Sequence, residues 1–119
     1  MAMTDKELIK IAIAAQKKAY APYSKFKVGA ALLCADGRVF TGCNVENATY
    51  GATCCAERTA IFKAVSEGAK KFLKIAVVTG SKELDSPCGI CRQVLFEFGA
   101  EIEVVMANTK GKSRVYKVK

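Results

Sequence analysis

The chain has 119 residues, 51% of them hydrophobic, and its 19 basic and 11 acidic residues give a formal net charge of +8. This length supports one core and therefore a single domain spanning residues 1–119, and the hydrophobic content excludes a disordered chain. No apolar run approaches the roughly 20 residues that cross a bilayer, and the N-terminus lacks the apolar block of a signal peptide, so we expect a cytoplasmic protein that does not enter membranes.

The first predicted element is an N-terminal helix. Thr4 and Glu7 have the spacing of a capping box, in which the hydroxyl accepts a backbone N–H and the Glu side chain reaches back to the cap. Pro22 cannot continue a helix, so we expect this one to run to about Tyr20. Small and apolar residues at helical spacing form its inward stripe: Leu8, Ile11, Ala12, Ala15 and Ala19.

Strand patterns, turn residues and helix stops predict the remaining elements. Gly68 is expected to cap the second helix, and Pro87 to open the third. In chain order the elements are strand Phe26–Cys34, turn Ala35–Gly37, strand Arg38–Cys43, loop Asn44–Thr53, helix Cys55–Glu67, strand Leu73–Thr79, helix Pro87–Phe98, strand Ile102–Met106 and strand Ser113–Val118.

This α-β-β-α-β-α-β-β order indicates an α/β fold. The third strand, the helix after it and the fourth strand form a βαβ unit, whose strands should be parallel and whose crossover should be right-handed. We expect helices on both faces of the sheet, which makes a three-layer α/β/α sandwich around a five-stranded mixed sheet.

Two short segments contain the residues best suited to chemistry, Cys55–Arg58 and Pro87–Arg92. Cys88 and Cys91 are three residues apart, so their sulfurs share a face of the predicted helix. Cys55 opens a different helix. Thiols at two helix N-termini meet positive dipoles, which favour the thiolates that metal binding needs.

Three thiolate ligands without an evident fourth indicate a catalytic zinc site, because the open position holds water. Bound zinc lowers the pKa of that water and makes hydroxide available near neutral pH. The chain has no histidine, so a carboxylate must move the protons. Glu57 follows Cys55 by two residues, about 200° round an ideal helix, which suits a residue near the metal that is not a ligand.

Three thiolates also overload zinc with negative charge. Arg58 lies three residues after Cys55 and can offset part of that charge, and Arg92 can do the same beside Cys91. Replacing Arg58 should therefore harm activity more than replacing a surface arginine.

The cysteine pattern has other interpretations. Cys54 could complete a structural zinc site, although it is adjacent to Cys55 and the two side chains would point apart. Cys88 and Cys91 could form a redox disulfide at a helix start, as in thioredoxin-like proteins, but that leaves Glu57 unexplained. Cys34 and Cys43 lie in strand-like segments, where a free Cys is usually a small hydrophobic residue.

Taken together, the motifs closely resemble the small homotetrameric cytidine deaminases of the cytidine and deoxycytidylate deaminase superfamily. The resemblance covers most of residues 4 to 107. The matching stretches are Tyr20–Phe26, Val28–Leu33, Gly42–Ala48, Cys55–Arg58 and Pro87–Val94.

The resemblance implies one Zn²⁺ per chain, bound by Cys55, Cys88 and Cys91. Zinc-bound hydroxide would attack C4 of cytosine, while Glu57 shuttles protons to N3 and to the departing amine. The implied reaction is hydrolytic deamination of cytidine and deoxycytidine to uridine and deoxyuridine, with release of ammonia, in pyrimidine salvage.

The resemblance also assigns residues to the substrate. Asn44 and Glu46 would bind the ribose 3′-hydroxyl, Phe26 would stack on the base, and the backbone at Ala56 would hold the pyrimidine carbonyl. Without the resemblance, Phe26 would be interpreted as a core residue. Asn44 and Glu46 would be interpreted as solvated or turn-forming loop residues. Two further residues, Ala48 and Tyr50, match positions that reach a neighbouring subunit's site in a homotetramer.

The chain departs from the family at its C-terminus. Typical members continue past the fifth strand into a Leu-Leu-Pro segment and a late aromatic residue that helps to close the pocket. Here the sequence ends with Tyr116, Lys117, Val118 and Lys119, so the expected domain lacks that segment.

Two other functions fit parts of the sequence. A relative that acts on another aminated pyrimidine, such as the nucleoside antibiotic blasticidin S, is the weaker choice because Asn44 and Glu46 favour an ordinary ribose. The net charge of +8 suggests an editor of nucleic acid, but no aromatic and basic stacking platform is evident, so we expect a nucleoside substrate and no nucleic-acid partner.

Overall fold

The computed structural model describes residues 4–20, 22, 27–45, 56–69, 71–79, 97, 102–108 and 113–117, and only the backbone of residues 57, 113, 114, 116 and 117. Neither of the two helices in this described part, of 12 and 11 residues, is long and apolar enough to cross a membrane. The elements of this described part are α1 (Asp5–Gln16), β1 (Val28–Cys34), β2 (Val39–Cys43), α2 (Ala56–Ser66), β3 (Phe72–Thr79), β4 (Glu103–Asn108) and β5 (Ser113–Lys117).

The N-terminal end of α1 has the predicted capping box. The Thr4 hydroxyl accepts the backbone N–H of Glu7 at 3.2 Å, and the Glu7 carboxylate accepts the backbone N–H of Thr4 at 3.0 Å. The hydrogen bonds that the backbone N–H and the hydroxyl of Thr4 donate to the Glu7 carboxylate lower the pKa of that group. Of the predicted inward stripe, Leu8, Ala12 and Ala15 are buried, Ile11 is partly buried, and Ala19 lies beyond the end of the helix.

The predicted end of this helix near Tyr20 is wrong, because α1 ends at Gln16. The backbone N–H of Tyr20 donates to the carbonyl oxygen of Asn44 at 3.0 Å, and Tyr20 forms a parallel bridge with Val45. This tertiary contact requires extended backbone at Tyr20. The chain therefore leaves the helix before it reaches Pro22.

The strands form a mixed sheet in the order β2-β1-β3-β4-β5. β1 lies antiparallel to both β2 and β3, β3 and β4 are parallel, and β5 is antiparallel to β4. The predicted α/β class with a mixed sheet and a parallel third and fourth strand is confirmed. The strand bounds differ by one or two residues from prediction, since β1 begins at Val28 and β4 continues to Asn108.

The core has two faces, because neighbouring side chains of β1 point to opposite sides of the sheet. Ala30 and Leu32 pack with Ala60 and other residues of α2. Ala31 and Leu33 instead belong to the cluster that contains Leu8 and Ala12 of α1. The two described helices therefore cover opposite faces of the sheet.

The C-terminal end of α2 confirms the predicted glycine cap. Gly68 has a φ of +91°, in the left-handed region that glycine adopts without strain. Its N–H donates to the Val65 carbonyl at 3.0 Å, and the Ala69 N–H donates to the Ala64 carbonyl at 2.9 Å. This pair of hydrogen bonds is a Schellman motif, which satisfies carbonyls at the end of the helix.

The predicted third helix, Pro87–Phe98, lies outside the described residues except for Glu97, which is helical and exposed. The parallel pairing of β3 with β4 requires a crossover connection between them, which is the place of this predicted helix.

Candidate active site

Buried polar side chains mark one end of the sheet. In the described part of the chain these are Asn44, Thr79 and Asn108, which are 9%, 3% and 3% exposed. Thr79 pairs with Val28 on one side and with Asn108 on the other, and Asn44 hydrogen-bonds to Val28. They therefore form a row across the carboxyl ends of the parallel strands, where α/β proteins bind their ligands.

The first turn of α2 approaches the neighbouring strand very closely. A Cβ atom on Gly42 would lie 2.4 Å from the carbonyl oxygen of Ala56 and 2.6 Å from the backbone nitrogen of Ala60. Both alanines are buried, at 1% and 0% exposure. Only glycine at residue 42 permits this contact, which sets the distance between the start of α2 and the sheet.

A hydrogen bond adds to this packing. The Thr59 hydroxyl donates to the carbonyl oxygen of Cys43 at 3.1 Å, in a partly buried position. A second, exposed link lies further along the same helix, where the Lys63 ammonium group donates to the Thr41 hydroxyl at 3.4 Å. Both links join α2 to β2.

Asn44 follows β2 and is held on several sides. Its Oδ1 accepts the backbone N–H of Val28 at 2.9 Å, and its own N–H donates to the Val28 carbonyl at 3.2 Å. Because Oδ1 accepts, the side-chain nitrogen is the donor end of the amide. Asn44 is buried, so its interpretation as a solvated loop residue is wrong.

Of the residues predicted to act on metal or substrate, the structure describes Asn44, Ala56 and Arg58, and the backbone of Glu57. Glu57 and Arg58 lie in the first turn of α2, and the Arg58 side chain is partly buried. The other predicted site residues lie outside the described residues: Phe26, Glu46, Ala48, Tyr50, Cys55, Cys88, Cys91 and Arg92.

Two cysteines outside the predicted metal set are described. Cys34 is a free thiol, 1% exposed in the core beneath α2, and burial raises its pKa. This confirms its interpretation as a small core residue. Cys43 is a free, partly buried thiol at the end of β2. Among the described residues no group of three His, Cys, Asp or Glu side chains could hold a metal ion.

Sequence reasoning missed Thr79 and Asn108. The hydroxyl oxygen of Thr79 is buried and has no hydrogen-bond partner among the described residues. The sequence does contain a signal for Thr79, because this polar residue directly follows the apolar run of β3. It lies at the carboxyl end of a strand, where α/β proteins bind their ligands.

The profile of the cytidine and deoxycytidylate deaminase zinc-binding region matches residues 2–108 of this chain. The chain belongs to this family. It is therefore an enzyme of a zinc-dependent hydrolase family.

Curated relatives and solved structures agree with the family match. The chain is 55% identical over 105 residues to a cytidine deaminase of Halalkalibacterium halodurans, a match that covers 87% of this chain and 80% of the relative. A cytidine deaminase of Sporosarcina psychrophila is 54% identical over 98 residues, which cover 82% and 72% of the two chains.

The structural likeness extends over nearly the whole chain. The crystal structure of cytidine deaminase from Burkholderia pseudomallei superposes with a TM-score of 0.94 at 54% identity, covering 98% of this chain and 94% of the other. The cytidine deaminase of Mycobacterium leprae gives a TM-score of 0.84 at 39% identity, with 98% and 95% coverage.

The family's zinc fits the donors that this chain offers. Proteins bind zinc through cysteine, histidine and carboxylate side chains. This chain has no histidine, so cysteines and carboxylates are the zinc ligands that it can supply. The start of α2 lies directly after Cys55 and is packed against the sheet at Gly42. A helix N-terminus at this fixed position favours a thiolate at residue 55.

Proposed function

We propose that this chain hydrolyses cytidine and deoxycytidine to uridine and deoxyuridine and releases ammonia, as a step of pyrimidine salvage. The observation that carries the proposal is the match with the Burkholderia pseudomallei cytidine deaminase over 98% of the chain, with a TM-score of 0.94. The Cys-x-Glu and Pro-Cys-x-x-Cys segments of the sequence supply the residue types that the reaction needs.

Cys55, Cys88 and Cys91 would hold one Zn²⁺ per chain. When bound, zinc supplies Lewis-acid activation that makes a water molecule nucleophilic near neutral pH. The guanidinium groups of Arg58 and Arg92 offset the negative charge of the thiolates. The position of Arg58 in the first turn of α2, partly buried, supports this role.

Glu57 moves the protons. Its carboxylate carries the first proton of the attacking water to N3 of the pyrimidine, and then carries the second, from the oxygen now bonded to C4, to the amine that leaves C4. The bond from C4 to the water oxygen forms, and the bond from C4 to the amine nitrogen breaks. With no histidine in the chain, a carboxylate is the group suited to this exchange near neutral pH.

The substrate-binding set surrounds this reaction centre. Asn44 and Glu46 bind the ribose 3′-hydroxyl, and the orientation of the Asn44 amide makes it the donor of that pair. Phe26 stacks on the base, and the backbone at Ala56 binds the pyrimidine carbonyl. Ala48 and Tyr50 reach the site of a neighbouring subunit, so the working form is a homotetramer.

The complete domain is proposed to be a three-layer α/β/α sandwich around the five-stranded mixed sheet, located in the cytoplasm. Its support is the placement of α1 and α2 against opposite faces of the sheet and the parallel pairing of β3 with β4. The predicted helix Pro87–Phe98 would make the crossover and complete the layer that contains α2.

The test combines metal analysis with an ultraviolet absorbance assay of cytidine turnover, on the wild type and on Glu57→Ala. We expect about one zinc per chain in both proteins, because Glu57 is not a ligand, and turnover in the wild type alone. A Glu57→Ala protein that deaminates cytidine at the wild-type rate would contradict the mechanism.

A further inference from the structure

The hydroxyl of Thr59 makes a contact that the proposed reaction does not use. A threonine inside a helix commonly bonds to the carbonyl one turn earlier on the same helix. Here the Thr59 hydroxyl donates across to the Cys43 carbonyl at 3.1 Å. Thr59 therefore links α2 to the last residue of β2.

The next residue after that carbonyl is Asn44, which the proposed function assigns to the ribose. Two hydrogen bonds hold Asn44 to Val28, at 2.9 and 3.2 Å, and its carbonyl oxygen accepts the Tyr20 N–H at 3.0 Å. The Cys43–Asn44 step is thus fixed to β1 on one side and to α2 on the other. Glu57 lies two residues before Thr59, in the same first turn and a half of α2.

Packing and hydrogen bonding constrain α2 in different ways. The contact of Gly42 with Ala56 and Ala60 limits how near the helix comes to β2. Steric contact of this kind sets a distance but no direction, and it leaves the helix free to slide by small amounts along the sheet. A hydrogen bond has a defined distance and angle, so the Thr59 bond to Cys43 resists that sliding.

We infer that Thr59 is a positioning residue that aligns the first turn of α2, and Glu57 with it, to the ribose-binding residue Asn44. This inference rests on the proposed function. A shift of about 1 Å between a bound substrate and a catalytic group can cost about a hundredfold in rate. Loss of the Thr59 hydroxyl therefore damages turnover of a nucleoside that is held at its 3′-hydroxyl.

The test compares Thr59→Val, which removes the hydroxyl at nearly constant shape, with Thr59→Ser, which keeps it. Thr41→Val is the matched control, because it removes the other threonine hydroxyl that joins β2 to α2, at the exposed Lys63. Two substrates are used, deoxycytidine and 2′,3′-dideoxycytidine, which differ only in the 3′-hydroxyl.

We expect Thr59→Val to lower kcat/KM for deoxycytidine about 10- to 100-fold, and Thr59→Ser and Thr41→Val to stay within about threefold of wild type. For dideoxycytidine the loss caused by Thr59→Val shrinks to about threefold or less. That substrate has no 3′-hydroxyl for Asn44 to bind, so it can shift in the site together with α2. Zinc content stays at the wild-type value in every variant.

Each other outcome decides against the inference. An equal loss on both substrates would show a general structural effect, and no loss would show that the bond aligns nothing. Loss of zinc from Thr59→Val would assign Thr59 to metal retention instead. If Thr59→Val does not fold, Thr59→Ala removes the same hydroxyl with less bulk and is judged by the same comparison. A wild type that converts neither nucleoside overturns the proposed function, and the inference with it.

Discussion

Gly42 and Ala56 bring β2 and α2 so close together that a Cβ atom on residue 42 would lie 2.4 Å from the Ala56 carbonyl oxygen. The obstacle is backbone, which cannot rotate away as the end of a flexible side chain can. The start of the proposed catalytic helix is thus set by a residue that carries no functional group.

Gly42→Ala should therefore displace the first turn of α2. We expect a loss of about 3 kcal/mol in the free energy of unfolding, at the upper end of the usual cost of overpacking. The displaced turn carries the residues next to Cys55, so zinc should also be lost more readily to a chelator. Urea unfolding and chelator competition at a temperature where the variant is folded measure the two effects.

Gly29→Ala is the matched control on the other face of the sheet. A Cβ atom there would lie 2.1 Å from the carbonyl oxygen of Ala12, in α1. This variant should lose stability to a similar extent and retain zinc as the wild type does. Equal chelator sensitivity in the two variants would mean that the close contact of Gly42 serves stability alone.

Local patterns predicted those parts of the fold that depend on neighbouring residues. The capping box of Thr4 and Glu7 needs a span of three residues, and the glycine cap at Gly68 needs only the last turn of α2. Where a distant residue decides, the prediction was wrong. The end of α1 is set by the hydrogen bond of Tyr20 to Asn44, 24 positions away, and no local pattern contains that information.

The candidate site divides in the same way. Residue types and spacing in Cys55–Arg58 and Pro87–Arg92 were sufficient to propose zinc chemistry, because the chemistry depends on which donors are present. Residue types and spacing do not predict the contacts that orient the site. The burial of Asn44 and Thr79, and the approach of Gly42 to Ala56, depend on strand register and helix packing.

Cys34 should be chemically inert in the folded protein. It is buried in the core, and burial raises the pKa of its thiol, so the reactive thiolate is scarce at neutral pH. We expect iodoacetamide to label Cys34 at least about a hundredfold more slowly than Cys43, because the reagent reaches a buried thiol only when the structure around it unfolds locally. Peptide mass spectrometry assigns the modified residue, and equal rates would contradict the burial.

Arg58 should matter for turnover. In the proposed site Arg58 offsets the charge of the thiolate ligands, and the loss of one such charge costs on the order of 1 kcal/mol or more, so Arg58→Gln should lower kcat about tenfold. Arg38→Gln is the control, because Arg38 is half-exposed and pairs with Asp36 in the turn between β1 and β2. A loss of kcat as large in Arg38→Gln would refute a specific role of Arg58.

Lys74 of β3 is linked to α1 and to β4, and its contribution to the free energy of unfolding should be lost at high pH. Its ammonium group contacts the Asp5 carboxylate at the start of α1 and the Glu103 carboxylate of β4, the latter at 3.4 Å. The hydrogen bond with Asp5 is the main cause that raises the pKa of Lys74 above its ordinary value. Lys74→Met should therefore cost about 1 kcal/mol of stability near pH 7.

A raised pKa in the folded state means that the protonated form stabilises the fold. This contribution is complete below the unfolded pKa of about 10.4 and disappears as pH rises through the raised folded value. The stability difference between wild type and Lys74→Met should therefore be constant from pH 7 to about 10 and shrink above it. Urea unfolding across this range measures the difference, with the exposed Lys10→Met as control. A difference that persists unchanged at the highest pH would show that Lys74 stabilises the protein through packing instead of charge.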